Sequence, residues 1–121
     1  MPRREPSAYV WDVLDACRSI VSALKACDRD AYLADDVRRL AVERLLITIG
    51  EAMSQLAKAD PAMASELGDV AQIVAFRNIL VHGYHRIDHA QVWAVLTVDL
   101  PRLHAASERV WGRFAHLYEL R

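Results

Sequence analysis

Along most of this 121-residue chain, apolar residues recur at steps of three and four, the period of an amphipathic helix. Val10, Val13, Leu14, Cys17, Ile20, Val21 and Leu24 form one such stripe and predict a helix over residues 8–26. Ser7 is placed to cap it, and Trp11 stands off the centre of the stripe, where it would face a partner. Residues 1–6, with two prolines and three charges, read as a frayed lead-in. Asp28-Arg29-Asp30 breaks the pattern, and Tyr32 and Leu33 are expected to tuck a short turn against the core. Asp35 or Asp36 then opens a second helix that runs to about Lys58, with acids suited to its dipole. Leu40, Ala41, Leu45, Thr48, Ala52 and Leu56 lie near one face of it, while Val37, Leu46, Ile47, Ile49 and Met53 widen that face. A helix apolar over more than one stripe should be central. Gly50 lies inside it at a cost of about 1 kcal/mol relative to Ala, which a close helix–helix approach would offset.

Asp60-Pro61 is a cap followed by proline at the first helical position. A short helix over 61–66 should end at Gly68, and Asp69 should cap the next, with Gln72 at the capping-box position. Val70, Ile73, Val74, Arg77, Leu80 and Val81 keep helical spacing up to Gly83, a residue that stops helices by entering the left-handed region. Asp88 caps the last pattern, carried by Val92, Val95, Leu96, Leu100, Leu103, Val110, Phe114 and Leu117, which Pro101 should kink or split near Asp99. Trp93, Trp111 and Tyr118 add bulk. The expected fold is all-α, four long helices and one short one in an up-down bundle, as a single domain over 1–121.

A hydrophobic content of 54% with 26% charged residues suits a soluble globular chain that hides one face against a partner. The net charge of −1 argues against binding nucleic acid by global charge, so any RNA contact must come from a local patch. Thirteen of the 15 basic residues are Arg, the better side chain for bidentate phosphate contacts, although genomic base composition also produces such a bias. Cys17 and Cys27 form no Cys-x-x-Cys, and no secretory leader precedes them; they read as small buried or half-buried thiols of a cytoplasmic protein. No apolar run reaches the length of a membrane span.

The chemistry concentrates in Arg77-Asn78-Ile79-Leu80-Val81-His82-Gly83-Tyr84. Arg77 carries a permanent, planar cation, and His82 can give or take a proton near neutral pH. Five helical steps separate them by roughly 140°, so they converge within one chain only if the helix unwinds at its last turn. The plain alternative is a helix end whose basic residues favour the dipole. Arg77 falls on or beside the buried stripe and needs an anion. Glu43, Glu51 or an RNA phosphate could supply it, and the two glutamates on the central helix read either as solvated flanking charges or as side chains that orient Arg77. His85 and Arg86 extend a basic rim. His85 and His89 are spaced as zinc ligands can be, but Asp88 should break the helix between them, and no metal is expected.

Arg77, His82 and Tyr84, with Asn78 after the arginine, resemble the signature of the HEPN superfamily and in particular of its HepT-like toxins. The stretch from Ala41 to Ala52, with its Ile-Gly-Glu-Ala run, and the late Asp99-Leu100-Pro101 resemble the same family. The resemblance implies a two-fold homodimer in which a second Arg77 and His82 enter one shared cleft. It implies an endoribonuclease without cofactor or metal, acting on mRNA or tRNA, with Arg77 and His82 catalytic. It further implies a cognate MNT-type nucleotidyltransferase antitoxin that adds AMP to Tyr84, and a homodimer that stands alone or joins a higher assembly with that antitoxin. Without it, Tyr84 would read as an aromatic at the core edge.

Three expectations compete. A ribonuclease toxin requires His82 for cleavage. A non-catalytic helical module that binds a nucleotidyltransferase keeps partner binding when His82 becomes Ala. A metal-dependent hydrolase loses activity in EDTA.

Overall fold

The structure, a computed structural model, describes residues 4–119, without the side chains of residues 84 and 116–119. Its helices are α1 (Pro6–Ala23), α2 (Arg29–Ala34), α3 (Asp36–Ala59), α4 (Pro61–Leu67), α5 (Val70–His82) and α6 (His89–Glu119), with a 3₁₀ turn at Tyr84–Arg86. No strand occurs among the described residues. The expected four long helices and one short one are present, and the turn expected at Tyr32 is a second short helix.

Aspartates set most of the boundaries. The side chains of Asp28, Asp35, Asp60 and Asp69 accept from Ala31 N, Arg38 N, Met63 N and Gln72 N at 2.8–3.1 Å, opening α2 to α5. Asp88 accepts from both Ala90 N and Gln91 N at the start of α6. Each carboxylate satisfies amide donors that a helix start leaves without partners. The first helix differs. Ser7 is buried inside α1, which starts at Pro6 with no side-chain cap. Proline supplies the start because its fixed φ suits the first helical position. The lead-in is tied down as well: Arg4 pairs with Asp12 at 2.5 Å and lies over the Tyr9 ring. Residues 1–3 of the expected frayed segment, and Leu117 and Tyr118 of the last pattern, lie outside the described side chains. At its other end α1 stops three residues early, and Ala26 adopts φ 57°, the left-handed conformation that turns the chain.

Helix α1 packs on both α3 and α6, α2 and α4 bridge α3 to α6, and α5 lies along α3. The core stripe of α1 holds Val10, Val13, Leu14, Cys17 and Ile20 as expected. On α3 the buried stripe is Val42, Leu46, Ile49, Met53 and Leu56; of the expected face Ala52 and Leu56 are buried, Leu45 and Thr48 half-buried, and Leu40 and Ala41 exposed. Leu40 is 68% exposed and Val37 77%. Apolar residues run nearly all round this helix, so periodicity alone did not fix its rotation. Trp11 finds its neighbour within the chain, 5.1 Å from the Trp111 ring. Pro101 does not split α6, which is continuous across it; the proline is exposed, and having no N–H it cannot donate to the carbonyl of Thr97 one turn back. Cys17 is buried and Cys27 half-buried, both free; burial pushes the Cys17 thiol up to about 12. Among the described residues no helix is long and apolar enough to cross a membrane.

Candidate active site

Helix α5 is apolar in sequence, yet only Leu80 of it is buried. It rests on α3 through one close crossing. A Cβ placed on Gly50 would lie 2.3 Å from Arg77 Cβ and 2.5 Å from its Cγ. Gly50 therefore leaves the channel through which the Arg77 stem passes, the close approach its position had suggested. The Arg77 side chain is half-buried, and its Nε is sealed from solvent without a hydrogen-bond partner. Its guanidinium borders an open cavity of about 430 Å³ between the start of α1 and the polar face of α3. Thr48, Glu51, Ser54 and Gln55 supply one wall, and Arg4, Tyr9 and Asp12 the other. Glu51 shares this cavity but forms no ion pair with Arg77, which has no counter-ion among the described residues.

The two candidate carboxylates part company. Glu51 is exposed beside Arg77, whereas Glu43 is buried at 8% exposure and does not line that cavity. Burial raises the Glu43 carboxyl above its ordinary range, with His89 and Arg39 pulling the other way. Tyr32 is buried with its hydroxyl unpartnered; burial, then the nearby Glu43 charge, lifts it to about 12. Glu43 thus belongs to a polar cluster with Tyr32, Arg39 and His89, apart from the cavity that Arg77 lines. That grouping was hidden because its members come from three helices.

His82 is the last residue of α5, exposed in the turn that carries the negative end of the helix dipole. The helix stays regular to this point. Gly83 has φ −108°, outside the left-handed region, and donates to Ile79 O at 2.8 Å. Glycine is needed for room: a Cβ there would stand 2.9 Å from that same oxygen. The unwinding that would let Arg77 and His82 of one chain converge does not occur, and a regular helix sets positions 77 and 82 about 140° apart. Asn78 lies one turn before His82 on the same exposed face, so it belongs with the imidazole and not with the arginine. His85 and Arg86 are exposed in the 3₁₀ turn, and the side chain of Tyr84 lies outside the described residues. Asp88 interrupts the helix between His85 and His89 as expected, and among the described residues no three His, Cys, Asp or Glu side chains group as metal ligands.

Sequence reading missed the cavity wall of Tyr9, Asp12, Thr48, Ser54 and Gln55. The available signal was the polar run Thr48, Glu51, Gln55 at steps of three and four.

An all-α bundle whose fifth helix carries Arg77 over a glycine of α3 and ends at His82 is a HEPN-type helical domain. The sequence profile of the family described as "Ribonuclease HepT-like" matches residues 13–110, and the chain belongs to that family. It is 29% identical over 105 residues to "Putative RNase MJ1380" of Methanocaldococcus jannaschii, covering 85% of this chain and 94% of that protein. It is 25% identical over 100 residues to "Putative RNase TTE0752" of Caldanaerobacter subterraneus, covering 83% and 88%. It is also 24% identical over 108 residues to "Probable ribonuclease HepT" of Thermococcus cleftensis, covering 89% and 97%. No solved structure matches it significantly.

Proposed function

We propose that this protein is the toxin of a toxin–antitoxin pair, a metal-independent endoribonuclease that works as a homodimer. The observation that carries this is Arg77: a half-buried side chain with no counter-ion among the described residues, lining a polar cavity. A cation so placed favours an anion, and an RNA phosphate is the anion that the family relationship suggests.

The mechanism needs three things. A base takes the proton of the ribose 2′-hydroxyl as its oxygen attacks the adjacent phosphorus. The phosphoryl oxygens are neutralised as charge builds on them, the task of Arg77. An acid protonates the departing 5′-oxygen. The products are a 2′,3′-cyclic phosphate and a 5′-hydroxyl. His82 fits either proton-transfer role, but one chain offers it on a different side from its own Arg77. A two-fold pairing answers both needs by setting the Arg77 of one copy and the His82 of the other on one crevice. Ile79 and Val81, on the last turns of α5, are 52% and 41% exposed and supply apolar surface for such a contact.

Tyr84 stands two residues beyond His82, in the 3₁₀ turn. AMP added to it by a cognate nucleotidyltransferase would bring negative charge and bulk to the crevice and repel RNA.

The divergence of Arg77 and His82 within one chain favours a second reading, a non-catalytic dimer that serves as a docking module for the nucleotidyltransferase. Cleavage of total cellular RNA in EDTA separates the two. The nuclease reading predicts cutting by wild type and a loss of at least about a hundredfold in Arg77→Ala and His82→Ala, with nucleotidyltransferase binding retained. No cutting by wild type, or unchanged cutting by both variants, contradicts it.

A further inference from the structure

We infer, resting on the ribonuclease reading, that the cavity beside Arg77 is a nucleoside subsite, and that Glu51 and Gln55 make it prefer a base bearing an exocyclic amino group. At about 430 Å³ the cavity has the size of a small-ligand site. Arg77 is part of its lining, so a phosphate held there would leave the attached ribose and base to enter the space between α1 and α3.

The lining suits a splayed-out RNA base better than a protein or lipid group. Single-stranded RNA is read by stacking bases on aromatic or guanidinium planes and bonding their edges. Tyr9 and Arg4 form such a plane, the guanidinium carbon 5.2 Å from the ring centroid, and the Arg4–Asp12 ion pair fixes it to α1. Glu51 and Gln55 stand one turn apart on one face of α3, on a rigid element and both solvent-accessible. An ionised carboxylate only accepts hydrogen bonds, while an amide both donates and accepts. Glu51 therefore rewards N–H groups on a base edge. Guanine presents two neighbouring ones, adenine and cytosine an amino group, and uracil only a single imino N–H between two carbonyls that a carboxylate repels. The absence of an Arg77–Glu51 ion pair leaves both groups available.

Two measurements on the full-length protein test this. Titration with 3′-GMP and 3′-UMP, followed by NMR, should show about tenfold tighter binding of 3′-GMP, the scale of one charged hydrogen bond. Glu51→Gln should bring that ratio to within about twofold, and Gln55→Ala should weaken 3′-GMP binding. Because both positions are exposed, the variants should melt like wild type, and either one decides the matter if the other misfolds. Equal binding of the two nucleotides by wild type, or a ratio unmoved in folded variants, overturns the subsite. The second measurement maps 5′-hydroxyl ends on an RNA of balanced sequence. Cuts beside amino-bearing bases that spread to uridines in Glu51→Gln support the subsite within the nuclease. The nucleotide preference without any cutting by wild type supports the subsite and discards the nuclease.

Discussion

A methyl group at position 50 would collide with Cβ and Cγ of Arg77, so one hydrogen atom's worth of space decides where the guanidinium goes. In Gly50→Ala, overpacking costs about 1–3 kcal/mol, and the better helix propensity of alanine returns about 1 kcal/mol. A net loss near 1 kcal/mol is expected in urea melts. Under the proposed function, cleavage should fall by much more than that loss implies, by at least about tenfold, because Arg77 would be displaced from the phosphate it is proposed to hold. Glu43 offers a second test at this scale. Its carboxyl is raised above the ordinary 4.5 by burial. A raised acid binds protons more tightly in the folded than in the unfolded protein, so its contribution to stability is best below pH 4.5 and declines as pH rises through the folded value. Glu43→Gln should therefore gain melting temperature relative to wild type on going from pH 4.5 to pH 7, measured by calorimetry. A gain that shrinks with pH would mean that His89 and Arg39 outweigh the burial.

At the scale of elements, the turn after α1 places Ala26 at φ 57°, a conformation that glycine reaches without strain. Ala26→Gly should be neutral or stabilise by up to about 1 kcal/mol in chemical denaturation, whereas Ala26→Val should destabilise. This turn also shows what a sequence conceals. Helix starts were legible because aspartates write them locally: Asp60, Asp69 and Asp88 each bond amides two or three residues ahead. The end of α1 carries no glycine, so its early stop could not be read. The rotation of α3 was equally obscure, since Val37, Leu40 and Ala41 are as apolar as the buried Val42 and Leu46. The candidate site was half legible. Arg77, His82 and Gly50 stood out by residue type, and Gly50 met its expected role. What could not be read was the assignment of Glu43 and Glu51 to separate surroundings, which depends on how α2, α5 and α6 lie against α3.

At the scale of the whole molecule, Arg77 and His82 leave α5 on different sides, about 140° apart in a regular helix. Under the proposed function, a chain arranged this way is half of a site. Its exposed Ile79 and Val81 are the surface on which a second copy would complete it. The most direct test is subunit mixing. Arg77→Ala and His82→Ala proteins, each inactive alone, are denatured together, refolded and assayed on RNA in EDTA. If the shared crevice pairs the arginine of each copy with the imidazole of the other, random pairing gives half mixed dimers, each keeping one of its two Arg77–His82 pairs, and activity recovers to about a quarter of wild type. A mixture as silent as either variant alone, alongside active wild-type protein refolded the same way, would contradict the shared crevice.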